Sequence, residues 1–188
     1  MDSLATLHIQ HLNILPSTLT GPFFDECERL SIPFEVHETE PQPFNAVEDY
    51  IPTAIAIYLA KPFIDAFLKK AGEDGYILFK NALARLASRA REVRLRVMTS
   101  GDKKSDPNYP FSRVFSIYSK SACGTPVKFL FPHSLTDAEY DEAIETLALF
   151  LEDTPALESG RRMGHLILME FNLETKSWVE RSSIIPNG

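Results

Sequence analysis

Cysteine is scarce in this sequence: Cys27 and Cys123 are the two in 188 residues. Two cysteines cannot build a disulfide framework, and no C-x-x-C pair is present for a zinc knuckle. Glycine is scarce too, at 8 residues. Neither a P-loop, nor G-x-G-x-x-G, nor G-x-S-x-G occurs, which removes the usual phosphate cradles and the serine-hydrolase elbow. An excess of bases is missing: the formal net charge is −7, which argues against nonspecific nucleic-acid binding. Also missing is an uninterrupted apolar run. Residues 51–68 come closest, but Lys61 and Asp65 lie inside the stretch and Pro52 and Pro62 interrupt it. A membrane span needs roughly 20 predominantly apolar residues, so a buried element is the better reading. No secretory leader pattern opens the chain, since Asp2 comes early and no basic n-region precedes an apolar core. With so few cysteines, a reducing cytoplasm is expected.

What is present is an ordinary globular composition, 44% hydrophobic and 24% charged. A chain of this length forms one domain and buries roughly 70% of its unfolded surface. Apolar spacing organises it. Leu7 and Ile9 alternate with His8 and Gln10, a strand pattern. Pro22 in a first turn opens a short helix over FFDECERL. Ile32, Phe34 and Val36 mark a second strand. This N-terminal β-α-β unit, residues 1–40, leads into a proline-rich connector at 41–50.

Residues 51–91 read as a helical hairpin: a kinked apolar helix, a break between Gly72 and Gly75, and a second helix. The second helix carries the stripe Tyr76, Phe79, Leu83, Leu86 and Ala90. From Val93 the period becomes two, through Leu95 and Val97. Two further strands follow at FSRVFSIYSKS and PVKFLFP. Thr136 and Glu139 form a T-x-x-E capping box before the helix that ends near Pro155. GHLILMEF and SWVERSSI form a closing hairpin. The expected order is β-α-β-α-α-β-β-β-α-β-β: a single α+β domain over 1–188, with a mixed, mostly antiparallel sheet covered by helices.

Charge is segregated along the chain. Residues 1–60 hold one base and nine acids, residues 61–128 fourteen bases and six acids, and residues 129–188 four bases and eleven acids. The candidate binding face is therefore basic: Lys80, Arg85, Arg89 and Arg91 on the second helix of the hairpin, then Arg94 and Arg96 on the expected strand. If the acidic helix at 137–153 supplies partners, the bases are structural. If it does not, they form an anion-binding surface.

Other chemistry is thin. His8 and His11 make H-x-x-H, but a strand sends them to opposite faces. Glu35 and His37 share the polar face of a strand beside Glu38 and Glu40 and could clamp a cation, yet no second ligand cluster is fixed in sequence. No metal and no cofactor are assigned. Cys27 lies among Asp25, Glu26 and Glu28, a poor setting for a thiolate. Cys123, between Lys120 and Lys128 with His133 further on, is the better nucleophile candidate. Tyr109, Phe111, Phe115, Tyr118, Phe129 and Phe131 resemble a base-stacking platform, but their alternation assigns them to a sheet.

The expected function is a non-enzymatic protein-interaction or regulatory domain, with another protein or a second copy as partner rather than nucleic acid or membrane. One alternative is a small enzyme or ligand-binding protein with a pocket between the 51–91 hairpin and the sheet. The other is a membrane-associated component using 51–68.

Overall fold

The structure is a computed structural model describing residues 6–41, 53–93, 95, 109–121, 124–152 and 166–181. Among them lie β1 (Leu7–Leu12), α1 (Ser17–Arg29), β2 (Phe34–Thr39), β3 (Ile55–Tyr58), α2 (Lys61–Ala90), β4 (Phe111–Lys120), β5 (Pro126–Pro132), α3 (Asp137–Glu152), β6 (Ile167–Asn172) and β7 (Ser177–Glu180). The strands form one seven-stranded mixed sheet in the order β2-β1-β3-β4-β5-β6-β7. The pairs β1–β2, β3–β4 and β5–β6 are parallel, and the pairs β1–β3, β4–β5 and β6–β7 are antiparallel. This is the expected α+β fold with a mixed sheet, but its strand pairs divide equally between parallel and antiparallel and are not mostly antiparallel.

Because side chains alternate across a strand, register sorts the sheet into two faces. Val36, Ile9, Ile57, Ile117, Phe129 and Met169 lie opposite one another across six strands. They face the helices, and all but Val36 are buried. The buried apolar side chains of α1, α2 and α3 join the same core cluster. Phe129 is fully buried and meets the Trp178 ring at 5.0 Å and Phe150 at 5.7 Å. Burying a side chain of that size contributes about 1.5–3 kcal/mol. The Trp178 indole N–H donates to the Ala143 carbonyl at 3.1 Å, tying β7 to α3.

Three local expectations change. The first helix begins at Ser17, after Pro16, so Pro22 lies inside it. Its ring is exposed, and only one backbone bond, to Thr18, is lost there. In the apolar run, residues 55–58 form β3 rather than helix, and the helix starts at Lys61 with Pro62 in its first turn. The β-branched Ile55 and Ile57 favour the pleated surface, and Pro62 starts the helix instead of kinking it. Val93 and Leu95 are half-buried outside any strand, while Arg94 and residues 96–108 lie outside the described residues.

The helical hairpin is present. Gly72 adopts φ 69° and ψ −176° inside α2. Phe79 meets Phe63 and Phe67 at ring distances of 5.8 and 5.6 Å. In a straight helix Phe63 and Phe79 would stand about 24 Å apart along the axis, so the chain folds back at Gly72. The capping box forms as well: the Thr136 backbone N–H donates to Glu139 Oε2 at 2.6 Å and the Glu139 backbone N–H donates to Thr136 Oγ1 at 3.4 Å. No helix among the described residues is long and apolar enough to cross a membrane.

Candidate functional site

On the sheet face opposite the helices, a second row runs across the same six strands: Glu35, His8, Tyr58, Tyr118, Lys128 and Leu168. It is polar for five of its six positions. At its β5 end the row is closed, with Lys128 buried and its Nζ 5.9 Å from the centre of the Tyr118 ring. Near β1 and β3 it is accessible, and Tyr58 is 41% exposed.

That accessible end forms a cleft of about 500 Å³, lined by His8, Gln10 and His37 on one side and by Tyr58, Tyr118 and Lys120 on the other. Its size falls in the range of small-molecule sites. Parallel β3 and β4 both end here, and α2 departs immediately after β3. The Tyr58 and Tyr118 rings stack at 5.2 Å and 25°, forming one aromatic wall. The Tyr58 hydroxyl donates to Gln10 Oε1 at 3.3 Å, bridging β3 to β1. Burial, then the neighbouring Tyr58, pushes the Tyr118 phenol up to about 12, so it is neutral and able to donate near pH 7.

The opposite wall holds nitrogen and oxygen donors. His8 Nδ1 lies 3.3 Å from Glu35 Oε2, and His37 Nε2 lies 3.9 Å from the same oxygen. The two imidazole rings stack at 6.5 Å and 13°. Donor atoms of His8, Glu35 and His37 all fall within 4.8 Å of one another. Glu35 and His37 do share a strand face, as their spacing implies. The parallel pairing of β1 with β2 adds His8, which sequence alone did not place. His11 points the other way, buried against Phe24 at 6.0 Å.

The basic series is divided. Lys80 pairs with Glu145 at 3.0 Å and Arg91 with Asp137 at 3.2 Å, both on the acidic α3. Lys176 takes Glu142 of the same helix at 2.9 Å. Arg85 and Arg89 are exposed instead and front a groove of about 270 Å³ between α1 and α2, together with Glu26. Arg94 and Arg96 lie outside the described residues, as does Cys123. Cys27 is buried, and that burial pushes its thiol up to about 12, with Glu26 adding to the rise. Such a thiol is inert.

Between the hairpin and α3 the packing leaves a void of about 20 Å³, lined by Ile64, Tyr76, Phe79, Leu83, Ile144 and Leu147 among others. That is space for about one water molecule, so this seam is core rather than cleft. Compared with known proteins, the chain matches no family model, no curated protein and no solved structure.

Proposed function

We propose that the domain is a small-ligand-binding protein, its site the cleft on the sheet face opposite the helices. The observation that supports this reading is the polar row itself: His8, Tyr58 and Tyr118 in register, opening into a cleft of about 500 Å³. The ligand that fits has a flat apolar body, to lie against the Tyr58–Tyr118 wall, and an anionic head, to meet Lys120 and the imidazoles. Aromatic faces with a few placed polar groups are the usual composition of such sites.

A thermal-shift series with aromatic carboxylates and aryl phosphates, run in EDTA, tests it. At a hundred times its Kd, a ligand adds about 2.7 kcal/mol to stability. The shift should shrink in Tyr58→Ala and Lys120→Glu, both exposed positions whose substitution spares the core. A stabilising compound whose effect is unchanged in both variants would place the site elsewhere.

A second reading is a protein-interaction domain. Its support is the exposed pair Arg85 and Arg89 at the α1–α2 groove. Bases that α3 does not neutralise suit electrostatically steered docking to an acidic partner, whether another protein or a second copy of this chain. Reversing both charges should abolish co-purification of such a partner and weaken its salt dependence. An unchanged complex would remove this reading.

A further inference from the structure

We infer that His8, Glu35 and His37 form a binding site for one divalent first-row transition metal, Zn²⁺ being the natural occupant. The inference rests on the cleft reading and deepens it, because His8 and His37 also line the cleft.

The donor set comes first. Two imidazole nitrogens and one carboxylate oxygen suit Zn²⁺, Co²⁺ or Ni²⁺; Mg²⁺ and Ca²⁺ prefer oxygen donors alone. Geometry comes second. With metal–donor bonds of about 2.0–2.1 Å, neighbouring donors of a tetrahedral site stand about 3.3 Å apart. The His8–Glu35 separation is already 3.3 Å, and the His37–Glu35 separation is 3.9 Å. All three donors lie within 4.8 Å of one another, so closing on an ion requires side-chain adjustment alone. The backbone fixes the approach: Glu35 is directly opposite His8 in the parallel β1–β2 ladder, and His37 follows two residues along the same face. Two strands of a sheet are a more rigid support than a loop.

Exposure comes third. The side chains of His8, Glu35 and His37 are 38%, 59% and 65% exposed. Three protein donors with access from solvent leave at least one coordination position open, as in sites that take an exchangeable ligand rather than closed structural ones. On the cleft side, that open position would accept the anionic head of the compound held by Tyr58 and Tyr118. A histidine–glutamate ion pair alone would also bring His8 to Glu35. It gives no reason for a second imidazole to stack against the first with its Nε2 towards the same carboxylate oxygen.

The test is titration of the EDTA-treated full chain with Co²⁺ and Zn²⁺ in the absence of any organic compound. Binding is followed by the visible d–d absorption of Co²⁺ and by Zn²⁺ competition. One equivalent should bind with a micromolar or tighter Kd, and Zn²⁺ should displace Co²⁺. Losing a partner one shell out from a metal already costs about 10–100-fold in affinity, so His37→Ala and Glu35→Gln should lose at least that much. His133→Ala should lose nothing. His37 is the most exposed of the three, so His37→Ala keeps the test valid even if Glu35→Gln destabilises β2; metal-free melting curves check both. A chain that binds neither ion in that range, or a His37→Ala variant that binds as wild type does, overturns the site. Metal binding with no effect of aromatic anions either in EDTA or on the Zn²⁺-loaded chain would remove the organic ligand and leave the metal. The converse would remove the metal and leave the cleft.

Discussion

Gly72→Ala separates the hairpin from its alternative by the sign of its effect. The backbone at Gly72 has φ 69° and ψ −176°, a combination almost restricted to glycine. A Cβ built there meets nothing within 4 Å, so sterics outside the residue contribute nothing. The whole penalty is local backbone strain, about 1–3 kcal/mol. For a domain of this size that lowers Tm by about 2–12 °C. In an unbroken helix the same substitution would stabilise by about 1 kcal/mol, because alanine is the better helix former. Urea unfolding followed by circular dichroism measures the difference, and an unchanged slope with a lower midpoint would show that only stability has moved. A Gly72→Ala protein as stable as wild type, or more so, would refute the fold-back. It would also take with it the contacts of Phe63 and Phe67 with Phe79.

Two further outcomes follow from titrating groups. Hydrogen bonds from the Thr136 backbone and hydroxyl hold the Glu139 carboxyl below its ordinary 4.5. A depressed folded-state value makes the capping contribution full above pH 4.5 and progressively lost as pH falls below it. The Tm deficit of Glu139→Gln should therefore be present at pH 7 and shrink on acidification; a deficit constant with pH would argue against a charged cap. In a Cys123→Ser background, Cys27 should resist alkylation at pH 8 in the native state and react quickly in urea, since its thiol is buried and pushed up to about 12. Equal rates in both states would mean that α1 does not pack as described.

The parts of the fold legible in sequence were those set by local chemistry. Thr136 and Glu139 announce a capping box three residues apart, and the structure makes both of its bonds, Thr136 N–H to Glu139 Oε2 and Glu139 N–H to Thr136 Oγ1. Gly72 announces the break in α2, and it takes the glycine conformation there. Residues 55–58 were not legible, because a short apolar run beside proline fits a strand or a buried helix equally well. The candidate site was legible in halves. Period two placed His8 and His11 on opposite faces and Glu35 and His37 on one. Bringing His8 to Glu35 needed the sense and register of the β1–β2 pairing, which no residue of either strand encodes alone. The same holds for the bases: Lys80 and Arg91 pair with α3, while Arg85 and Arg89 front the α1–α2 groove beside Glu26, a division set by how the helices pack and not by the sequence of α2.

The central claim is that the sheet face opposite the helices is the binding face. Amide chemical-shift mapping of the isotope-labelled chain, with a stabilising aromatic carboxylate and separately with Zn²⁺, tests it most directly. The carboxylate should perturb Tyr58, Tyr118, Ser119 and Lys120, and Zn²⁺ should perturb His8, Glu35 and His37. The Ile57 and Phe129 row, on the helix-covered face, should show smaller changes. Perturbations centred on the α1–α2 groove around Arg85 and Arg89, with the β1–β3 face silent, would contradict the claim.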